Sequence, residues 1–239
     1  MPYKLSVMKI IVTVVLVVMV SAILLSANQF LPFISIELHE NLFINRLLKY
    51  QMAALILATL LMIITLRLNP ESKSLLRLGD LDLLALKEKW LGIDGLTSWR
   101  KNAWQLAFFI SLATGSFMLL AIKYSPNHYS FHGYHILIII LISLTNSFSE
   151  EMIYRFVIHG NLMSIMAKTK VLVLSSILFG LPHFLGFPNG IMGVIMAGVL
   201  GYILSKATYE THGLGIAWGI HFLQDVIIFS ALFVMNFKQ

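Results

Sequence analysis

Seven long apolar segments constrain this chain more than any other feature. An α-helix needs about 20 apolar residues to cross the hydrocarbon core of a bilayer, and several segments approach that length. Lipid admits only helices or closed barrels, and these segments are too long and too uniformly apolar for barrel strands. The sequence therefore predicts an all-α, polytopic transmembrane helix bundle of about seven to eight spans. The segments lie near residues 8–26, 50–66, 104–122, 134–156, 170–185, 188–205 and 213–235.

Composition supports a membrane protein and excludes some chemistry. Hydrophobic residues make up 58% of the chain and charged residues only 12%, whereas soluble domains carry about 25% charged residues. Cysteine is absent, which excludes disulfides, thiolate nucleophiles and Cys-ligated zinc. Lys4 and Lys9 precede an apolar run over residues 10–25 in the manner of a signal peptide. The run is longer than most signal cores and further spans follow, which favours a retained first helix.

Two stretches between the spans have a weaker pattern. Residues 30–43 are moderately apolar and predict an interfacial or re-entrant piece, or an eighth span. The loop 67–101 mixes seven basic with five acidic residues. Leucines recur in it at a spacing that fits an amphipathic surface helix, either a solvated connection or a lipid sensor. These leucines are Leu75, Leu78, Leu81, Leu84 and Leu86.

We expect one membrane domain over residues 1–239. Residues 1–133 would supply N-terminal helices and the amphipathic cytoplasmic loop, and 134–235 a core that carries the motifs described below. Small residues at four-residue spacing in this core predict close helix packing. They are Gly193, Ala197, Gly201, Gly215 and Gly219.

The positive charges follow membrane topology. The net charge is +6, but the basic residues are spread over membrane-flanking loops, which argues against a nucleic-acid-binding patch. With a cytoplasmic N-terminus and seven spans, 13 of the 17 Lys and Arg residues fall on inner segments. The positive-inside rule therefore favours a cytoplasmic N-terminus.

Two adjacent glutamates, Glu150 and Glu151, lie near the end of the span that begins near residue 134. Glu151 and Arg155 are four residues apart with the acid first, the favourable order for an ion pair on a helix. Neighbouring helical residues point about 100° apart, so Glu150 must face elsewhere. A carboxylate desolvated in a helix bundle is a better general base near neutral pH. Glu150 is thus the candidate base, at what the pattern predicts to be the inner end of its span.

His183 lies in an apolar span directly after Pro182. Proline removes a backbone donor and bends the helix, which suits a cavity wall. Phe179, one turn earlier, is interpreted as a packing residue. A single histidine on an apolar face is more often a hydrogen-bonded core residue, so His183 gains weight only together with the other motifs.

His221 and Asp225 lie one turn apart in the last span. An aspartate beside a histidine can orient the imidazole and fix its tautomer. The pair can equally ligate a metal, take part in a proton relay or tie two helices together. Nothing in the pair by itself separates these roles.

The other histidines give weaker signals. His128, His132 and His135 cluster in an aromatic-rich segment on the predicted outer side, and an interfacial position is favoured over metal binding. His159 and His212 border membrane segments, and no role is assigned to them.

Taken in order, the three signatures resemble the CPBP family of CAAX-protease and bacteriocin-processing intramembrane peptidases, also called the Abi family. The matching motifs are E-E-x-x-x-R at 150–155, F-x-x-x-H at 179–183 and H-x-x-x-N/D at 221–225. The resemblance covers about the C-terminal half of the chain. It implies that Glu150 and His183 activate a water and that His221 and Asp225 stabilise the oxyanion. It gives Glu151 and Arg155 a supporting role.

The chain departs from the motif at one position, because many members have Asn where this chain has Asp225. An ionised aspartate repels an oxyanion, so Asp225 either donates as a neutral acid or orients His221 instead. A zinc site built from histidines and a glutamate is the alternative to a cofactor-free enzyme. The usual His-Glu-x-x-His helix is absent, which favours a metal-free glutamate mechanism.

The leading hypothesis is an intramembrane endopeptidase that hydrolyses a peptide bond in a membrane-associated peptide or protein. Candidate substrates are prenylated tails, peptide pheromones, bacteriocin leaders and small membrane proteins. The alternatives are a non-catalytic bacteriocin-immunity or signalling scaffold, and a proton-coupled transporter. The expected location is a bacterial plasma membrane, with the lipid bilayer and the substrate as partners and no nucleic acid.

Overall fold

The computed structural model describes residues 3–127, 129 and 132–236. In this part of the chain seven helices are long and apolar enough to cross a membrane. The backbone of each spanning helix satisfies its own hydrogen bonds, as lipid requires. The protein is therefore a multi-pass, all-α membrane protein. The seven spans are Lys4–Leu25, Leu42–Leu68, Trp99–Lys123, Gly133–Leu162, Lys168–Leu185, Gly190–Thr211 and Gly215–Met235.

Nine α-helices form these spans and the turns between them, within the described residues. Two of the spans are composite, and a single turn of helix follows the first span. The helices are α1 Tyr3–Leu25, α2 Ala27–Phe30, α3 Leu42–Leu68, α4 Trp99–Lys123, α5 Gly133–Glu151, α6 Val157–Leu162, α7 Lys168–Gly180, α8 Gly190–Thr211 and α9 Gly215–Asn236.

The stretch 30–43 does not add an eighth span in the described chain. A 3₁₀ turn at Leu31–Phe33 is followed by non-helical backbone up to residue 41. Asn41 then caps α3, where its side chain accepts hydrogen bonds from the N–H groups of Phe43 and Ile44. Such a cap stabilises a helix start, which explains why the second span begins earlier than hydropathy predicted.

The fourth span continues beyond its predicted end. A π-helical turn, Met152–Phe156, follows α5 directly and leads into α6. The glutamates therefore lie inside the span, and the prediction that they sit at its end is wrong. At 1.5 Å per residue, Glu150 is about 18 Å from Leu162. Apolar Val157 and Ile158, both completely buried, carry the helix on after Arg155.

Pro182 ends α7 in the way its chemistry predicts. The α-helix stops at Gly180, and a 3₁₀ turn, Leu181–Leu185, carries Pro182 and His183. Proline lacks the N–H that would continue the α-helical hydrogen bonds. The change in winding sets the direction of His183.

Small residues allow α7 and α8 to pack closely, as expected. A Cβ atom on Gly193 would lie 2.0 Å from the carbonyl oxygen of Pro188 and 2.5 Å from that of His183. A Cβ on Gly201 would lie 2.9 Å from the Phe179 ring. For Gly219 the packing interpretation is wrong, because no atom lies within 4 Å of its Cβ position.

The loop between α3 and α4 does not form the predicted amphipathic helix. Apart from 3₁₀ turns at Pro70–Leu75 and Lys89–Leu91, it is irregular. Gly79 has φ +95°, and a Cβ there would lie 2.5 Å from Oγ1 of Thr211. The loop backbone instead bonds to the end of α8, where the Asp80 N–H donates to the Thr211 carbonyl at 2.8 Å, and to the α8–α9 connection, where the Leu214 N–H donates to the Arg77 carbonyl at 3.0 Å. These tertiary hydrogen bonds replace the helical ones, while Leu78 and Leu84 remain exposed.

A buried cluster of charges fastens this loop to α8, and we call it the loop clamp. Glu210 accepts hydrogen bonds from the Leu86 N–H at 2.9 Å and from the Trp99 indole N–H at 3.0 Å. Lys206 is 1% exposed and lies 2.5 Å from Glu210. The clamp consists of the side chains of Glu88, Trp99, Lys168, Lys206 and Glu210.

Candidate active site

Four of the candidate residues line one cavity of about 770 Å³. Glu150 reaches it from α5, His183 from the 3₁₀ turn after α7, and His221 and Asp225 from α9. The three motifs are spread over residues 150–225 of the sequence, and α5–α9 and α7–α8 packing brings them together. The cavity walls are otherwise mainly apolar faces of α4 and α8.

Glu151 and Arg155 lie behind the cavity wall. Both side chains are 0% exposed, and Nη1 of Arg155 is 3.2 Å from Oε1 of Glu151. The ion pair that the spacing predicts is therefore present. The guanidinium also lies over the Phe179 ring at 4.1 Å, a cation–π contact that favours a buried charge. Of the two neighbouring glutamates, only Glu150 therefore lines the cavity.

His221 is held by the second glutamate. Its Nδ1 lies 2.8 Å from Oε1 of Glu151. A carboxylate can only accept, so Nδ1 carries the proton and donates it. The other ring nitrogen, Nε2, lies 3.4 Å from Oε2 of Glu150 and 3.7 Å from Oδ1 of Asp225. Sequence reasoning missed the Glu151–His221 bond, because helical spacing reports nothing about contacts between helices.

His183 is oriented by its own helix. Its Nδ1 lies 2.8 Å from the Phe179 carbonyl oxygen, which can only accept, so Nδ1 donates. In the neutral ring Nε2 is then the acceptor. The Phe179 ring packs against both histidines, with centroids 4.8 Å from His183 and 5.5 Å from His221. This agrees with the interpretation of Phe179 as a packing residue.

Asp225 has a partner that sequence reasoning did not identify. Its Oδ2 accepts a hydrogen bond of 3.1 Å from the amide of Asn146 on α5. The Asn146 carbonyl oxygen in turn accepts from Nε2 of Gln51 on α3 at 3.2 Å. A signal was available, since Gln51 and Asn146 are amide side chains in otherwise apolar spans.

The π-turn follows immediately after the two glutamates. In a π-turn the backbone hydrogen bonds run to the fifth residue, and such turns are frequent at functional sites. The hydroxyl of Ser175 on α7 donates to the Tyr154 carbonyl at 2.7 Å, and the Tyr154 hydroxyl is 2.7 Å from that of Ser21 on α1. The turn is thus fixed from two other helices, and it holds Arg155 beneath the cavity.

The site collects more negative than positive charge. Three carboxylates surround His221, and Arg155 is the permanent cation beside them. Oε2 of Glu150 is buried and makes no hydrogen bond within the described chain. Among the residues that the structure describes, no group of three or more His, Asp or Glu side chains is arranged to hold a metal ion. His128, of the weaker histidine cluster, lies outside the described residues.

A helical membrane protein whose carboxylates and histidines line one mainly apolar cavity has the features of an intramembrane hydrolase. Residues 132–227 match the family model described as type II CAAX prenyl endopeptidase Rce1-like. All three motifs fall in this segment, so the resemblance to the CPBP/CAAX-protease family is confirmed. The match supports a protease of the intramembrane endopeptidase kind. No curated protein and no solved structure matches the chain.

Proposed function

We propose that the protein is an intramembrane endopeptidase in which Glu150 and His183 activate a water for attack on a peptide carbonyl. The observation that carries the proposal is the shared cavity, which Glu150, His183, His221 and Asp225 all line. Glu151, on the same helix, is buried away from the cavity. The two neighbouring glutamates therefore have different surroundings and suit different roles.

Glu150 is the proposed general base. Its carboxylate takes a proton from the water, and the resulting hydroxide forms a bond to the carbonyl carbon. The protonated Glu150 then delivers that proton to the amide nitrogen as the C–N bond breaks, which releases an amine and a carboxylic acid, and the acid then loses its remaining proton to solvent. Oε2 of Glu150 suits this role because it is buried and makes no hydrogen bond within the described chain. General base catalysis of this kind contributes about 10²–10⁴-fold.

His183 and His221 have complementary tasks in this mechanism. The bond from Nδ1 of His183 to the Phe179 carbonyl leaves Nε2 as an acceptor that holds the water beside Glu150. His221 donates to Glu151 through Nδ1 and directs Nε2 towards Glu150 and Asp225. A protonated His221 would stabilise negative charge on the tetrahedral intermediate. Asp225 would orient His221, since its own oxygens accept rather than donate.

We propose that the reaction proceeds without a metal. Nδ1 of His183 is engaged by a backbone carbonyl, and Nδ1 of His221 by Glu151. This leaves one nitrogen on each ring, and the proposed mechanism uses both. Zinc remains the alternative cofactor. A chelator such as 1,10-phenanthroline distinguishes a metal-free enzyme from a zinc enzyme, because cleavage by a metal-free enzyme continues in its presence.

The substrate is proposed to be a membrane-associated peptide that carries an apolar group. The family description names CAAX prenyl endopeptidases, and the cavity offers apolar side chains such as Phe109, Ile110 and Leu200. Its volume of about 770 Å³ falls in the range of about 300–1,000 Å³ typical of ligand pockets. A prenyl chain would occupy the apolar part while the peptide bond lies beside Glu150.

The proposed location is a bacterial plasma membrane with a cytoplasmic N-terminus. The cysteine-free chain allows single-cysteine labelling at two exposed positions, Ser74 and Asn127. We expect a membrane-impermeant maleimide to label Asn127→Cys in intact cells and Ser74→Cys only after lysis, because the positive-inside rule puts the basic loop inside. Labelling of Ser74→Cys alone in intact cells would mean the inverse orientation.

The proposed function is tested by comparing new protein termini in membranes from cells that express the wild type, Glu150→Ala or Glu71→Ala at matched levels. Glu71 is an exposed glutamate of the α3–α4 loop and serves as the control. We expect at least one terminus with the wild type and Glu71→Ala that is missing with Glu150→Ala, and that persists with phenanthroline. Identical termini in all three membranes would exclude this mechanism and favour a non-catalytic scaffold.

A further inference from the structure

Asn146 occupies a position from which it can contact substrate. It lies one turn before Glu150 on α5, and residues four apart share a helix face. Both residues line the cavity. The Asn146 amide donates to Oδ2 of Asp225 at 3.1 Å. An amide donor therefore lies on the same helix face as the general base and contacts Asp225 of the third motif.

Two further contacts fix which end of the Asn146 amide faces the site. Nε2 of Gln51, which is 4% exposed, donates to the Asn146 carbonyl oxygen at 3.2 Å. The Thr145 hydroxyl lies 3.4 Å from the Gln51 carbonyl oxygen, and its shorter contact, at 2.9 Å, is with the Leu141 carbonyl oxygen. The Asp225 carboxylate accepts only, so it requires the NH₂ end of Asn146. The chain of donors and acceptors is thus consistent from Gln51 through Asn146 to Asp225.

An oxyanion needs hydrogen-bond donors, and an ionised Asp225 has none to offer. The NH₂ group of Asn146 has two N–H donors, and the bond to Asp225 uses one. We propose that Asn146 is a catalytic residue whose second N–H donates to the oxygen of the tetrahedral intermediate. Asp225 then positions both this amide and His221. This inference rests on the proposed peptidase function.

The proposal predicts how activity responds when the amide and the carboxylate are moved. Asn146→Ala removes the donor and is expected to lower kcat about 10²–10³-fold, as for other oxyanion donors. KM is expected to stay within about threefold, because the bond forms in the transition state. Asn146→Asp places a carboxylate against Asp225 and is expected to be at least as slow. Exchanging both residues, Asn146→Asp with Asp225→Asn, restores an amide and a carboxylate and is expected to recover at least about tenfold in kcat.

The assay uses the purified full chain in detergent micelles and a quenched fluorogenic peptide. The peptide carries a farnesylated cysteine as the fourth residue from its C-terminus. Glu150→Gln and the thermal unfolding midpoint of each variant are measured alongside. Asn146→Ala with wild-type kcat per folded molecule overturns the inference, as does an exchanged pair no faster than Asn146→Asp. If Glu150→Gln is inactive while Asn146→Ala is fully active, only this inference fails. An active Glu150→Gln, or a wild type that leaves the probe intact, counts against the proposed function as well.

Discussion

Glu150→Gln is expected to abolish cleavage while leaving the fold as stable as the wild type or more stable. Glutamine cannot take the proton from water, so kcat falls by about 10²–10⁴-fold. Glu150 shares the surroundings of His221 with the carboxylates of Glu151 and Asp225, and removing one of three like charges relieves repulsion. Catalytic sites often carry such destabilising groups. Initial rates and thermal unfolding in detergent measure both effects.

The contrasting variant is Glu151→Gln, only one residue away. It leaves Arg155, 0% exposed, without its ionised partner and replaces the carboxylate that orients His221 with a neutral amide. We expect the unfolding midpoint to fall, because a buried charge without a partner costs several kcal/mol. Should Glu150→Gln destabilise the protein as much as Glu151→Gln does, Glu150 would be a structural residue. If Glu150→Gln retains activity, the proposed general base is wrong.

Much of the fold follows from information that is local in sequence. Hydropathy located all seven spans because each lipid-crossing helix satisfies its own backbone. Pro182 predicted that the helix is disturbed at His183, and the structure has a 3₁₀ turn there, since the missing N–H acts within one turn. The four-residue spacing of Glu151 and Arg155 predicted their ion pair in the same way.

The features that the sequence did not predict depend on contacts between distant segments. The α3–α4 loop has the leucine spacing of a helix, yet its backbone bonds to Thr211 and to the α8–α9 connection. The π-turn has no sequence signature, and Ser175 on another helix satisfies one of its carbonyls. Gln51 and Asn146 are 95 residues apart. Their polarity marked them as unusual in apolar spans, but only the packing of α3 on α5 shows which partner each has.

Glu210→Gln in the loop clamp is expected to cause the largest loss of stability, about 3–5 kcal/mol. The Glu210 carboxylate accepts from Lys168, Lys206, Trp99 and the Leu86 backbone. The neutral amide leaves Lys206 buried, with Glu88 at 4.0 Å as its nearest remaining carboxylate. Breaking a buried pair by removing one partner costs more than the pair itself contributes. Thermal unfolding in detergent gives the size of the loss.

A second substitution tests whether the unpaired charge of Lys206, rather than a general packing defect, causes the loss of stability. Lys206→Met in the Glu210→Gln background removes the unpaired buried charge, so the double variant is expected to be more stable than Glu210→Gln alone. Further loss in the double variant would mean that packing, rather than charge, holds the loop. Trp90 of this loop lines the cavity, but it lies outside the three motifs. At temperatures below its unfolding midpoint, the Glu210→Gln protein should therefore keep a near wild-type kcat. This result would distinguish the loop clamp, which holds the cavity wall, from the residues proposed to carry out the reaction.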